Sequence, residues 1–319
     1  MLKTPVFPIC PFFNKHEELD VPAVVDYIKH LESCGVKAIM TTAGTSQFNL
    51  LSSEEIRLLN ETCVNNFNET VILGVPPLSE RHALEEVHYY NNKIIDRDNV
   101  YLMLLYPDRY YDDKNVAGFF HRMAEASPQL GVYFHGMFMR KGTGGTYNFD
   151  SSLISDIASH PNIYGMKEEI ANLADAFSAC LELNSDLDNF EIVVAGGSQR
   201  RFWHLHSAGA TNFLSGIGSM FPLIDIDFYE AIKQEDYSTA KDIMTNNEGT
   251  LFKSFMKLGW HKSMREALRI QGFNKGPDRQ PFASATPEES EIIKETLLKS
   301  NRENVLKSSE LTKMFLASM

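Results

Sequence analysis

Eight short apolar runs, each followed by a stretch with helical spacing, set the strongest limit on what this chain can fold into. The runs are Val6–Cys10, Val36–Thr42, Thr70–Val75, Val100–Leu105, Gly131–His135, Ile163–Lys167, Glu191–Ala195 and Thr211–Ile217. Their apolar residues are continuous rather than alternating, the pattern of parallel strands covered on both faces. Asp20 stands before Val21, Val24, Val25, Ile28 and Leu31, which predicts a capped amphipathic helix ended by Gly35. Ser53, with Glu54 and Glu55 behind it, is predicted to start a second helix that runs to about Phe67. Eight strand–helix units within about 230 residues fit a closed (β/α)8 TIM barrel, whose usual size is roughly 250 residues. The competing architecture is a doubly wound open sheet. That fold calls for a glycine-rich nucleotide fingerprint after the first strand, and Pro11-Phe12-Phe13-Asn14 is unlike one.

After residue 235 the pattern is helical only, with helices predicted over Tyr237–Leu258, Trp260–Ile270, Pro287–Leu298 and Glu303–Leu316. The expected organisation is a barrel over 1–234 and a helical extension over 235–319 packed on it. Of the 319 residues, 43% are hydrophobic and 23% charged, which suits a globular chain with ample core. A net charge of −12 with no basic block speaks against nucleic acid as a partner. Cys10, Cys34, Cys63 and Cys180 lie far apart without a CxxC pair or a zinc-like histidine spacing, and they read as reduced thiols. Pro5, Pro8 and Pro11 break the apolar amino terminus, so no signal peptide is read there. No run reaches membrane-spanning length, and a cytoplasmic location with no membrane partner is expected.

In parallel α/β proteins the reactive groups gather at the carboxyl ends of the strands. The sixth run ends in Tyr164-Gly165-Met166-Lys167, followed at once by Glu168 and Glu169. A lysine there stands at the mouth of an apolar interior, where desolvation favours the neutral, nucleophilic amine. The same stretch also fits a strand-end lysine that reaches out to solvent. On the fifth run Tyr133 and His135 share one side, and Tyr133 fits either a proton-passing group or a packed core ring. The second run opens onto Ala43-Gly44-Thr45-Ser46-Gln47 ahead of a helix. The hydroxyls and N–H groups of Gly44, Thr45 and Ser46 suit a carboxylate or phosphate, though an ordinary turn has the same composition. Tyr106, Tyr110 and Tyr111 flank a loop fit to line a pocket or a subunit contact, and Gly197 lets a ligand approach the backbone closely. Arg140 and Lys141 precede a glycine-rich loop that lacks the strand and helix of a phosphate loop and suits a lid equally. Glu168 and Glu169 are adjacent, so they point to different sides and make no chelating pair; no metal site is predicted.

Several of these pieces resemble one family. Pro8-Ile9-Cys10-Pro11-Phe12 is similar to a first strand ending in Thr-Pro-Phe, and Gly35-Val36-Lys37-Ala38-Ile39 to a Gly-Val-x-Gly/Ala-Ile second strand. Gly131-Val132-Tyr133 matches a strand ending in the family tyrosine, and Tyr164-Gly165-Met166-Lys167-Glu168 matches a Gly-x-Lys-Glu/Asp motif. Ala208 through Pro222 and Asp278-Arg279-Gln280-Pro281-Phe282 extend the similarity over nearly the whole chain. The chain thus resembles the dihydrodipicolinate synthase / N-acetylneuraminate lyase family of class I, Schiff-base aldolases. It also departs from it. The family's Gly-Thr/Ser-Thr-Gly-Glu falls on Ala43 to Gln47 in an ungapped register, or Gly44-Thr45-Ser46 matches Gly-Thr-Thr in a shifted one. The Asn and Pro that follow the family tyrosine are replaced by Phe134, His135 and Gly136, and Arg140 is the candidate for a family arginine further on.

The resemblance implies that Lys167 forms an imine with pyruvate or a longer 2-oxo acid, sugar-derived or aromatic, for carbon–carbon or carbon–oxygen lyase chemistry. It implies that Tyr133 relays protons, with Tyr106, Tyr110 or Tyr111 completing the relay. It places the substrate carboxylate on Gly44, Thr45 and Ser46, with Tyr110, Arg140 and Gly197 at the same site. No metal or organic cofactor is implied, and a homodimer or homotetramer is. The changed residues at 44 and 47 also admit a barrel protein that binds a 2-oxo acid or related ligand with impaired catalysis.

Overall fold

The computed structural model describes residues 2–106, 113–137 and 148–300. Its strands and helices alternate as β1 (Phe7–Pro8), α1 (Val21–Ser33), β2 (Ala38–Met40), α2 (Ser53–Asn66), β3 (Thr70–Val75), α3 (Glu80–Lys93), β4 (Val100–Leu104) and α4 (Asp113–Glu125). There follow β5 (Gly131–His135), α5 (Ser151–Ala158), β6 (Ile163–Glu168), α6 (Leu173–Asp186), β7 (Glu191–Val194), α7 (Ser198–Leu205), β8 (Asn212–Phe213) and α8 (Pro222–Lys233). The eight strands stand in one sheet in sequence order, and this is the (β/α)8 barrel fold. Added C-terminal helices are α9 (Tyr237–Ile243), α10 (Gly249–Leu258), α11 (Trp260–Ile270) and α12 (Pro287–Ser300). The compact units of the structure do not divide at residue 234. One holds Glu69–Leu214 with the first residues through Lys3, the other Thr4–Asn68 with the chain from Ser215 onward.

The unit from Glu69 to Leu214 is built on parallel ladders from β3 through β8. Phe134, in the middle of β5, packs outward on Phe120 of α4 and on Phe149, with ring centroids 5.1 and 6.5 Å away. Each such ring removed from water stabilises the fold by about 1.5–3 kcal/mol. Because side chains alternate along a strand, seating Phe134 against the helices turns Tyr133 and His135 to the opposite face.

In the other unit, β1 pairs with β2 through Phe7–Ile39 and Pro8–Met40. It is shorter than the run from Val6 to Cys10 suggested, since proline has no N–H for a ladder, although Ile9 still donates to the Met40 carbonyl at 2.9 Å. Asp20 caps α1 by accepting from the Ala23 N–H. The cap of α2 is Ser52, one residue before the expected Ser53. Ser52 Oγ accepts from the Glu55 N–H at 3.2 Å, and the Glu55 carboxylate accepts from the Ser52 N–H at 2.9 Å. Arg279 then grips the same Glu55 with two bonds of 2.7 Å and lies over the Phe13 ring, which gives the late Asp-Arg-Gln-Pro stretch a structural task. The helix expected over Tyr237–Leu258 is broken by a π-helical stretch at Met244–Glu248. The helix expected over Glu303–Leu316 lies outside the described residues.

Arg265 of α11 is almost wholly buried. It donates to Asp278 at 2.5 Å, to the Pro11 carbonyl at 2.8 Å and to Asn274 at 3.3 Å, so one cation ties the C-terminal helices to the loop after β1. Burial alone would raise the Asp278 carboxyl, but Arg265 and Arg269 beside it hold it below its ordinary value. Removing one partner of a buried pair leaves an uncompensated charge. Asp278→Ala is therefore expected to destabilise the protein by about 3–5 kcal/mol, and the urea midpoint reads this; a loss below about 1 kcal/mol would mean the pair is solvated.

Candidate active site

The site is set by how β5 lies on β6. Val132 stands opposite Ile163, but the next residue, Tyr133, stands opposite Gly165, so Tyr164 is an extra residue in β6. From there the register is regular, and His135 stands opposite Lys167. The shift brings inward-facing His135 level with Lys167, and Gly136 closes the end of the ladder by donating to the Lys167 carbonyl at 3.0 Å.

At this strand end Lys167 is buried, with 7% exposure. Its Nζ lies 2.8 Å from His135 Nε2 and forms a short ion pair with Glu169 Oε2, while His135 Nε2 is 3.3 Å from the same carboxylate oxygen. Burial, and then the charge of Lys167, push the His135 imidazole down to about 4, against the opposing pull of Glu169. The imidazole is therefore uncharged near neutral pH; in the tautomer protonated on Nδ1 its Nε2 accepts from Lys167, and in the other it donates to Glu169. Burial pushes Glu169 upward, but its contact with His135 and the charge of Lys167 outweigh it and hold the carboxylate well below its ordinary range. Glu169 is consequently a counterion and a poor proton acceptor, and His135, although also pushed down, is the more basic of the two.

Tyr133 shares the inward face but stands one pleat below Lys167, about 6.6 Å along the strand. Its hydroxyl donates to Glu191 Oε2 at 2.9 Å, and the other oxygen of Glu191 accepts from the Leu2 N–H at 2.6 Å. Burial first, then the neighbouring Glu191, raise the phenol far above its ordinary value. Burial raises the Glu191 carboxyl too, with the bonds from Leu2 and Tyr133 acting against it. Gly165 makes this packing possible. A Cβ there would meet the Glu191 carbonyl, its Cβ at 2.8 Å and the Tyr133 ring at 2.9 Å.

Glu168 and Glu169 do diverge. Glu168 accepts two bonds from Arg201 of α7, at 2.8 and 2.6 Å, and one from the Ile170 N–H at 2.6 Å, so it fixes the turn after β6. Gly197 caps α7 and lies against the Arg201 Cβ. Its neighbour Gly196 has φ +69° and backs Glu169: a Cβ would lie 3.1 Å from Glu169 Oε1.

Gly44, Thr45 and Ser46 belong to the other unit, where they form a single 3-10 turn. The N–H groups of Ser46 and Gln47 are used inside that turn, on the carbonyls of Ala43 and Gly44. The buried Thr42 and Ser46 hydroxyls and both polar atoms of the Gln47 amide have no hydrogen-bond partner among the described residues. Such a concentration of orphaned polar atoms is costly unless a ligand or water satisfies them. Tyr106 is buried against Phe119 and Phe120, facing the helix layer. Tyr110, Tyr111 and Arg140 lie outside the described residues. Among the described residues there is no group of three His, Cys, Asp or Glu that could hold a metal ion, and no helix long and apolar enough to cross a membrane.

Reasoning from sequence passed over His135 and Glu169 as partners of Lys167, Glu191 as the partner of Tyr133, and Arg201 as the partner of Glu168. Only the first left a signal, since His135 lies two residues after Tyr133 and shares its face.

No family model matches the chain. It is 28% identical over 298 residues to 4-hydroxy-tetrahydrodipicolinate synthase of Methanospirillum hungatei, covering 92% of this chain and 97% of that protein. It is 23% identical over 320 residues to a probable 5-dehydro-4-deoxyglucarate dehydratase of Cereibacter sphaeroides, covering 93% and 95%. The solved N-acetylneuraminate lyase of Fusobacterium nucleatum superposes with a TM-score of 0.83 over 93% of this chain and 98% of that one, at 14% identity, a likeness of fold. Fold and relatives together define a class I aldolase-type lyase. Within that class the chain is similar, over nearly its whole length, to the dihydrodipicolinate synthases and N-acetylneuraminate lyases.

Two outcomes test this geometry. Gly165→Ala is expected to cost about 1–3 kcal/mol, because the new methyl meets strand backbone that cannot yield; an unchanged urea midpoint would refute the close approach. His135 titrates near 6.5 when unfolded and near 4 when folded. The unfolded chain therefore binds more protons between these values, and stability falls as pH drops through that window, by about 3 kcal/mol at most. His135→Gln should flatten this part of the pH–stability curve, and equal slopes in the two proteins would count against a buried, neutral imidazole.

Proposed function

We propose that the protein is a lyase, an aldolase or a dehydratase, that makes or breaks a carbon–carbon or carbon–oxygen bond next to an imine between Lys167 and a 2-oxo acid. The observation that carries the proposal is the Lys167 amine itself. Lysine is almost never buried to this degree without a partner or a task, and here it sits at the carboxyl end of a barrel strand with an uncharged imidazole 2.8 Å away. Once protonated, the imine is an electron sink for the neighbouring carbon. The relatives' names fit this range, one being a synthase and another a dehydratase. The substrate is pyruvate or a longer 2-oxo acid, with the orphaned hydroxyl of Ser46 and its neighbours Gly44 and Thr45 proposed to meet polar groups of a ligand. In this proposal Tyr133 supports the strand floor beneath Lys167 rather than relaying protons, because its own proton is engaged by Glu191. A homodimer or homotetramer belongs to the proposal on the family resemblance alone.

Borohydride reduction in the presence of pyruvate, and then of longer sugar-derived or aromatic 2-oxo acids, is expected to fix one adduct on Lys167, found by peptide mass. Lys167→Arg should abolish it. Absence of any adduct across the series would sink the imine. Thermal stabilisation by a 2-oxo acid without adduct or turnover would favour the second reading, a binding protein, for which the changed residues Gly44 and Gln47 speak.

A further inference from the structure

We propose that His135 is a catalytic residue that takes the proton from Lys167 before imine formation and returns it when water leaves. The inference rests on the imine reading above and adds to it the group that makes the amine reactive. Lys167 Nζ donates toward two acceptors, the Glu169 carboxylate and His135 Nε2 at 2.8 Å. An amine held as an ammonium has no lone pair for attack, so one of the two must accept a proton.

Among the described residues the titratable groups around the lysine amine are few. From the end of β6 and the turn after it there are Lys167 and Glu169; from β5 there are His135 and, one pleat lower, Tyr133. Glu169 is held well below the ordinary carboxylate range and so binds a proton poorly. The Tyr133 phenol is committed as a donor to Glu191. That leaves His135. Its low basicity is in part the doing of Lys167, whose charge is the second cause of the shift after burial. This cause vanishes as the proton crosses, so the pair behaves as two sites sharing one proton. Glu169, 3.3 Å from Nε2, then faces an imidazolium instead of an ammonium, and net charge in the cluster is unchanged.

The steps balance. The Lys167 ammonium gives a proton to His135 Nε2, leaving a neutral amine and an imidazolium. The amine lone pair forms the N–C bond at the keto carbon, the carbonyl π electrons move to oxygen, and a proton passes from nitrogen to that oxygen to give the carbinolamine. The imidazolium protonates the hydroxyl, the C–O bond breaks, and water leaves. The product is the protonated imine, paired with Glu169, and His135 is neutral again.

The test compares rates of borohydride trapping with pyruvate in the full chain, for wild type, His135→Gln and His135→Asn, across pH 6–9. General-base assistance of this kind is worth on the order of 100-fold or more. Both variants are expected to trap at least about 100-fold more slowly near pH 7, to regain rate as pH rises, and to be rescued in part by added imidazole. Trapping at the wild-type rate in both variants overturns the role of His135 and leaves the imine standing. No adduct in the wild type overturns the imine reading itself, and the role of His135 with it. If neither variant folds, the His135 imidazole is followed by NMR titration in wild type and Lys167→Met. A rise from about 4 on loss of the lysine supports the shared proton, and no change overturns it.

Discussion

One irregularity in a strand ladder governs the surroundings of the buried lysine in this barrel. Had β5 and β6 kept the register in which Val132 meets Ile163, His135 would have met Met166, and Lys167 would have had no inward neighbour at its own level. The extra residue at Tyr164 moves the partnership by one, so the two inward faces coincide above it. Gly165 is the other half of the device. Its missing side chain lets Tyr133 and the backbone of β7 close in beneath the lysine. The Gly-x-Lys spacing thus has a physical meaning: an empty inward position directly below the lysine.

Above that floor the charges are sorted by strand alternation. Glu168 turns to the helix layer and is consumed by Arg201, locking the turn after β6 to the start of α7. Glu169 turns to the lysine and the histidine, and Gly196 leaves it room. Adjacent carboxylates therefore have separate tasks, one structural and one electrostatic, because neither has access to the other's partner. A similar economy holds in the second unit, where Arg265 and Arg279 bind loop ends that no helix of their own would order.

Much of this could be read from the chain. Eight continuous apolar runs predict parallel strands because strands covered on both faces need no polar alternation. Lys167 stood out because a cation at the end of such a run is costly to bury without purpose. Tyr133 drew attention as the family tyrosine, yet its neighbour two residues on meets the amine. The difference between them is a matter of register, which local sequence specifies weakly when a bulge intervenes. Ser52 displaced Ser53 as a cap for a similar reason, since two adjacent serines are equivalent until the helix chooses its first turn.

What the sequence determined by itself was the order of elements, the family resemblance and the position of the strand-end lysine, all properties carried by patterns within single segments. The partners of that lysine were decided only by tertiary structure. His135, Glu169, Glu191 and Arg201 acquire their roles from distances across strands and turns, and a hydrogen bond of about 3 Å depends on a register that no single segment contains.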